Sequence, residues 1–274
     1  MRNKKNVKST IILTIIVILL LFPIVILVNS SLKTYNELIT WPPKFFNSFH
    51  FENYTQVLSG DKSIVKEFFN SLQISVITML ICILIGSLAA YSVTRFDFKG
   101  KNAFMNIILV TQMFSSVIIV NAMYIIFRQF NLLDTKLSLI IATTTSCLPM
   151  TVWLLHSYFS QIPIDYEEAS WMDGANRLQG IKDVLLPLCF PGIITAGLFA
   201  FIAAWGDLIY AKSFITSPEL RTISLALTDF QDLYKTTWET QMAASVVATL
   251  PPFILFFLIQ KYLIKSMVSQ GGKG

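Results

Sequence analysis

Six apolar runs punctuate the chain, at 10–28, 68–94, 103–127, 137–159, 188–211 and 243–264. Each is close to the ~20 helical residues needed to cross a hydrocarbon core of ~30 Å. Lipid offers backbone N–H and C=O groups no partner, so runs of this length are expected to span as helices that satisfy their own hydrogen bonds. The pattern predicts an all-α polytopic membrane protein with six transmembrane helices. It divides into an anchor helix with an extracytoplasmic loop, 1–67, and a core transmembrane domain, 68–274. Within the core, 162–187 is the one long polar segment between strongly apolar runs in the second half of the chain.

Composition strengthens this picture. The 274 residues are 54% hydrophobic and only 14% charged, with a mean hydropathy of +0.62, far from the soluble average. The first run follows Arg2, Lys4, Lys5 and Lys8. It is longer than the apolar region of a secretion signal and no small-residue cleavage site follows, so it reads as a retained anchor. The basic cluster places the N-terminus in the cytoplasm, and six crossings return the C-terminus to the same side. Arg95, Lys99, Lys101, Arg177 and Lys182 then also lie inside, giving the cytoplasmic segments the larger share of the 21 basic residues. These flanks account for the net charge of +5, which does not point to nucleic acid. Cys82, Cys147 and Cys189 lie in or beside spans at spacings that fit no zinc or redox motif, and two histidines, His50 and His156, do not suggest a metal site.

Several spans carry polar groups. Thr111, Gln112, Ser115, Ser116, Asn121 and Tyr124 interrupt the third, which is read as one continuous helix. Such groups either bond neighbouring helices or line a path for a polar solute. Pro149, after Thr143–Ser146 in the fourth span, and Pro251-Pro252 in the sixth predict kinks. Asp207 is the one carboxylate inside a span, near Trp205 and Tyr210, and suits either a solute path or a helix anchor. The outer segment 29–67, with Trp41-Pro42-Pro43, reads as an ordered extended loop on the membrane surface, serving as a linker or as a partner surface.

The segment 162–187 has an order that an ordinary surface loop would not need. Pro163 suits the first turn of a helix, and Asp165, Glu167 and Glu168 complement the positive end of its dipole. Helical spacing puts Ile164, Glu168, Trp171 and Ala175 on one side, and Gly174 interrupts the helix. A second polar segment then leads to Leu186-Pro187.

That order resembles the signature of the integral membrane permeases of binding-protein-dependent ABC importers. Glu168-Ala169-Ser170 stands for Glu-Ala-Ala, Gly174 follows three residues later, and after nine more come Val184, Leu185 and Leu186-Pro187. Ser170 and Val184 depart mildly from the pattern. Asn70-Ser71, Ala89-Ala90-Tyr91, Arg95-Phe96 with Gly100, Gln112-Met113, Leu148-Pro149, Ile162-Pro163, Asp173-Gly174-Ala175 and the terminal Gly271-Gly272-Lys273-Gly274 narrow the resemblance to the carbohydrate-importing, maltose-type branch. Trp205-Gly206-Asp207 differs from that branch's Trp-Asn-Asp or Trp-Asn-Glu.

The resemblance implies a multi-pass permease in a bacterial plasma membrane that imports a sugar or oligosaccharide. Its partners would be a second permease chain forming a heterodimer, a cytoplasmic ATPase dimer holding ATP and Mg, and an extracytoplasmic sugar-binding protein. The chain lacks G-x-x-x-x-G-K-[ST], so ATP hydrolysis would reside on the partner and this subunit would be non-catalytic, with no cofactor of its own. A cytoplasmic coupling helix comprising Glu168, Ala169, Ser170, Trp171, Met172, Asp173 and Gly174 would dock on the ATPase. In it Glu168 would anchor the loop, Ala169 pack closely, and Trp171 with Met172 make the apolar contact. Gln112, Asn121, Tyr124, Trp205, Asp207 and Tyr210 would line the sugar path. Asp229, Gln231, Asp232, Tyr234 and Trp238, in the outer segment 212–241, would meet the binding protein or else belong to a self-packed loop. The terminal glycines would thread between the ATPase subunits. The alternative is an ion-coupled secondary transporter, which would need ionisable groups in its spans as a coupling site.

Overall fold

The computed structural model describes residues 2–43, 45, 48–60, 63–230 and 237–271, the side chains of 2–8 and 262–271 excepted. Helices α1 (Arg2–Ser31), α2 (Tyr35–Ile39), α3 (Glu52–Ser59), α4 (Val65–Arg95), α5 (Lys101–Thr111), α6 (Ser116–Gln129), α7 (Lys136–Phe159), α8 (Asp165–Met172) and α9 (Arg177–Gln179) follow in order. A π-helical turn, Gly180–Leu185, leads into α10 (Leu186–Trp205). Then come α11 (Ile209–Phe214), a 3₁₀ turn (Pro218–Leu220), α12 (Ile223–Asp229) and α13 (Trp238–Gly271). Among the described residues every regular element is helical, and five helices are long and apolar enough to cross a bilayer.

Contacts divide the chain into two compact units. The first comprises Met1–Lys66 and Ala226–Leu250, a segment that the sequence division placed with the core. In this unit α1 is exposed along its apolar window. Beyond α1 the chain is tied by Asn53, whose amide donates to the carbonyls of Ser31 and Lys33 at 2.9 Å each, and by the hydroxyl pair Ser31–Tyr54 at 2.6 Å. The segment expected to be extended thus contains two short helices, and it leaves Trp41 87% exposed.

The second unit, Glu67–Leu225 with Pro251–Gly274, holds the packed bundle. Its interfaces are built from small residues. The buried positions of α4 include Ser71, Ser75, Thr78, Cys82, Gly86 and Ala90, at steps of three or four, so they form one stripe. Facing elements contribute Ala142, Thr143, Cys147 and Thr151 from α7 and Gly192, Ala196, Gly197 and Ala200 from α10. Small side chains let helix backbones approach where lipid gives no hydrophobic drive for association. Three apolar clusters succeed one another along this seam, around Ile74 and Leu139, around Cys82 and Cys147, and around Ala90 and Leu155. The Thr78 and Thr143 hydroxyls bond across it at 2.9 Å.

One expectation changes here. The third apolar run is not one helix: α5 and α6 meet at a 98° bend across residues 112–115. Ser115 is extended and caps α6 by accepting from the Val117 N–H, while the Gln112 side chain donates to the Ser146 carbonyl at 3.4 Å. Gln112, Ser115 and Ser116 sit at the break, where the Ser115 hydroxyl satisfies an N–H the helical ladder leaves open, whereas Asn121 and Tyr124 lie within α6. Pro149 lies inside the single helix α7, and Pro251 and Pro252 lie inside the single helix α13.

The α7–α10 interface is the most extensive among the packed helices. A Cβ on Gly192 would overlap the Tyr158 ring at Cγ and lie 2.8 Å from its Cβ, which the backbone holds in place. One on Gly197 would lie 2.7 Å from Ile83 Cδ1, the free end of a flexible side chain. Gly192→Ala is therefore expected to destabilise the protein by about 1–3 kcal/mol, and Gly197→Ala to change stability by less than ~1 kcal/mol, helped by alanine's helix propensity. Unfolding of the two variants in one detergent compares them directly. Equal effects would remove the close-packing explanation.

Candidate functional site

The loop between α7 and α10 is assembled from its sequence in three steps. First, α8 begins at Asp165 with Ile164 as its cap, so Pro163 precedes the helix rather than filling its first turn. Second, α8 ends in a Schellman turn. The Gly174 N–H bonds the Trp171 carbonyl and the Ala175 N–H reaches back to Ser170, both at 3.0 Å, with Gly174 at φ +92°. Third, Asn176 opens the next helix through a capping box, accepting from the Gln179 N–H at 2.9 Å while Gln179 Oε1 accepts from the Asn176 N–H at 2.7 Å. Asp173-Gly174-Ala175-Asn176 is thus a fixed corner between two helices.

What holds this corner to the bundle is Glu167, which is fully buried. Arg95 at the end of α4 donates from Nε to its carboxylate at 2.6 Å, and from Nη2 to the Ile162 carbonyl at 3.0 Å. The Tyr91 hydroxyl donates to the same carboxylate at 3.2 Å. The carboxylate that anchors the loop is therefore Glu167. Glu168, expected in that role, is exposed. The inward face of α8 runs through Glu167, Ser170 and Trp171, one residue out of phase with the expected side. The helix starts later than Pro163 implied, and the buried arginine selects the carboxylate facing it.

Trp171 also turns inward. The Arg177 guanidinium lies over its ring at 5.3 Å and over Phe96 at 5.6 Å. A Cβ on Gly180 would lie 2.8 Å from Trp171 Nε1, so the π-helical turn passes close to α8 because this residue is glycine. The outward face carries Glu168, Ala169, Met172 and Asp173, all exposed, with Met172 at 89%. Ala169 is accordingly exposed among the described residues rather than closely packed, and of the expected apolar pair only Met172 is presented outward. Acidic and apolar groups on a short helix fixed at its base form a surface suited to docking.

At the other end of the bundle a second polar system fixes residues 206–223. Asp207 caps α11, accepting from the Ala211 N–H at 3.1 Å and the Tyr210 N–H at 3.4 Å. Asn70 donates to the carbonyls of Glu219 and Arg221 at 2.9 Å each, and the Ser71 hydroxyl accepts from the Ile223 N–H at 2.8 Å. Asp134 accepts from the N–H groups of Thr216 and Ser217 at 3.0 and 2.9 Å and from the Ser217 hydroxyl. These donors, the Ser217 hydroxyl foremost, hold the Asp134 carboxyl down at about 2.

Of the expected path residues, the structure links two through Ser146. The Tyr210 hydroxyl shares a 2.6 Å bond with Ser146 Oγ, and the Gln112 amide meets the carbonyl of the same residue. Asn121 is exposed on α6, and the Tyr124 ring tilts against Phe214 with centroids 6.5 Å apart. Trp205 is buried against Phe201 and Phe68, at 5.8 and 5.4 Å, and so is a packing residue. Asp229 is exposed at the end of α12 and Trp238 is 41% exposed at the start of α13. Gln231, Asp232 and Tyr234, like the terminal Gly272-Lys273-Gly274, lie outside the described residues. Sequence reading singled out neither the anchoring role of Glu167 nor those of Asn70, Ser71 and Asp134. The available signals were an arginine at the end of an apolar run and an Asn-Ser pair at the start of one.

Glu167→Gln leaves the buried Arg95 guanidinium without a counter-charge and is expected to cost about 3–5 kcal/mol. Glu168→Gln at the exposed neighbour should stay within about 0.5 kcal/mol. Thermal unfolding, with proteolysis of the loop as a second readout, separates them; similar losses would refute the assignment. At the opposite end, Asn70→Ala should cost about 1–3 kcal/mol by removing two hydrogen bonds to the main chain and should raise amide exchange across 219–223. Asp134, depressed in the folded state, contributes fully above its unfolded value of about 3.9 and loses that contribution as pH falls toward about 2. Exchange at the Thr216 and Ser217 amides should therefore be free of any contribution from Asp134 titration between about pH 5 and 8, apart from the intrinsic rate, and a step in that window would contradict the geometry.

Comparison with known proteins agrees with this architecture. The chain is 34% identical over 258 residues to the sulfoquinovosyl glycerol transport system permease protein SmoH of Agrobacterium fabrum, covering 93% of this chain and 89% of that protein. It is 33% identical over 225 residues to the trehalose/maltose transport system permease protein MalG of Thermococcus litoralis, covering 81% of each. Its fold matches a chain from the crystal structure of a bacterial ABC transporter involved in the import of the acidic polysaccharide alginate. The TM-score is 0.78 over 94% of this chain and 95% of that one, at 23% identity. Residues 82–269 match the family described as the binding-protein-dependent transport system inner membrane component, and these residues contain the anchored loop and most of the bundle: the chain belongs to that family.

Proposed function

We propose that this chain is the membrane-spanning permease subunit of an ATP-driven importer that moves a sugar or oligosaccharide into the cytoplasm. The observation that carries this reading is the two-sided character of α8. Its inner face is fixed to α4 by Glu167, and its outer face presents Glu168, Ala169, Met172 and Asp173. A helix transmits a push only if its base is held, and a cytoplasmic ATPase gripping the outer face would move the bundle through Arg95. ATP and Mg belong to that partner. The relatives SmoH and MalG, named for sulfoquinovosyl glycerol and trehalose/maltose transport, support the cargo class.

In this reading both termini and α8 are cytoplasmic, where Arg95, Lys99, Lys101, Arg177 and Lys182 cluster by sequence. The braced segment 206–223 is extracytoplasmic, together with Asp229, Trp238 and the intervening residues assigned to the sugar-binding protein. A second permease chain completes the path. On this chain that path passes the break in the third span, where Gln112 and Tyr210 meet at Ser146. Asp207 and Trp205 support its wall, one as a helix cap and the other by packing.

Proteoliposomes holding the complete complex and its binding protein should accumulate at least one member of a panel of mono- and oligosaccharides only when ATP is supplied. Glu168→Lys and Met172→Glu should each lower that uptake by about tenfold or more, the effect of losing ~1.4 kcal/mol of docking energy, without unfolding the subunit. Uptake that ignores ATP but follows an ion gradient, or that survives both substitutions with assembly intact, would overturn the proposal.

A further inference from the structure

A cavity of about 720 Å³ lies between the last turns of α4 and the start of α10, beside the anchored loop. Its walls are almost wholly apolar, with Leu84 and Leu88 on α4 and Phe190 and Ile193 on α10. Leu84 and Leu88 are 63% and 64% exposed, so the cavity opens on the flank of α4, a helix long and apolar enough to cross a bilayer. Lys182 is the one charged residue in its lining, and it forms no ion pair among the described residues. The π-helical turn forms one wall. Ile181 and Lys182 of this turn both line the cavity.

The chemistry of this lining excludes the transported solute. A sugar placed here would leave most of its hydroxyls without partners, and ordered water would fare no better for lack of polar contacts. An apolar cavity, one lysine in its lining without an ion pair among the described residues, and a position where spans end together fit an amphiphile with a negative head. We propose that this cavity is a binding site for an anionic phospholipid, its acyl chain lying along Leu84, Leu88, Phe190 and Ile193 and its phosphate meeting Lys182. The site adjoins the anchored loop directly. Tyr91 lines the cavity, and its hydroxyl donates to Glu167, the partner of Arg95. A bound acyl chain therefore packs against the side chain that supports the anchor, and its presence stiffens the base of α8. The effect of the lipid on coupling rests on the function proposed above; its binding does not.

The complete complex, purified in detergent and offered equal phosphatidylglycerol and phosphatidylcholine, tests this by native mass spectrometry. The unsubstituted complex should retain phosphatidylglycerol preferentially. Lys182→Gln should lower that preference by about fivefold, the factor expected of one lysine near an anionic headgroup, and Lys182→Arg should keep it. Ser87→Phe, which fills the cavity without touching the charge, should reduce retention of both lipids. Absence of any preference, or retention unchanged in both Lys182→Gln and Ser87→Phe, overturns the site. So does efficient cross-linking of Leu88→Cys to the second permease chain, which would show a protein helix there instead. In vesicles of phosphatidylcholine alone, ATP-driven uptake should fall several-fold relative to vesicles containing phosphatidylglycerol, and this difference should shrink in Lys182→Gln. Preferential lipid retention without ATP-driven uptake in either vesicle would sink the transport reading and leave the lipid site standing.

Discussion

Within a bilayer, helices gain nothing from hiding apolar side chains from lipid tails that are equally apolar. Association must come from close approach and from the polar groups that close approach brings together. The stripe of Ser71, Ser75, Thr78, Cys82, Gly86 and Ala90 on α4 answers that constraint, as does Gly192 on α10, which leaves room only for the Tyr158 ring. Most of the larger arrangement depends on this seam. It allows Thr78 to reach Thr143 and sets α7 against α10, so that their connecting loop emerges at a defined place. Bulkier residues would preserve hydropathy and lose the geometry.

With the helices that close, each end of the bundle needs only a few polar side chains to fix its connections. The motif residues shared with the maltose-type branch acquire physical reasons on these terms. Asn70-Ser71 holds the backbone at 219–223 with three hydrogen bonds to main-chain groups. Asp173-Gly174-Ala175 makes the Schellman corner, which requires the left-handed conformation that glycine adopts freely. Arg95 supplies the charge that turns Glu167 inward, leaving the neighbouring Glu168 exposed to any docking partner.

The spans were legible in the sequence because their signal is compositional and long, and an average over twenty residues is insensitive to local detail. Gly174 was legible because chirality makes a rule about single residues. The 98° break in the third span was not, since averaging passes smoothly over residues 112–115. Its local mark was Ser115 before the apolar run of α6, a helix-start signal set inside a run that was read as one span. The choice between Glu167 and Glu168 was not legible either. Adjacent residues on a helix differ by about 100° in direction, and what selects between them is an arginine 72 residues earlier in the chain. The contacts of Asn70 span 149 and 151 residues. Short-range patterns show which residues are available for such contacts, and the packed helices decide which of them meet.

One element takes part in both end systems. Helix α4 carries Asn70 and Ser71 near its start and Arg95 at its last turn, and it is a continuous helix of 31 residues. At ~1.5 Å per residue these anchors stand roughly 38 Å apart on one rod. A helix of that length bends gently but does not compress, because each residue is tied to the next turn by backbone bonds that lipid cannot replace. A displacement imposed at Glu167 must then either break the buried ion pair or carry the Arg95 end of α4 with it. Breaking the pair would leave an uncompensated buried charge, a cost on the scale of about 3–5 kcal/mol. Under the proposed coupling, the response to a push on α8 that keeps the pair is movement of α4 as a unit. The bonds of Asn70 and Ser71 bring the opposite loop along.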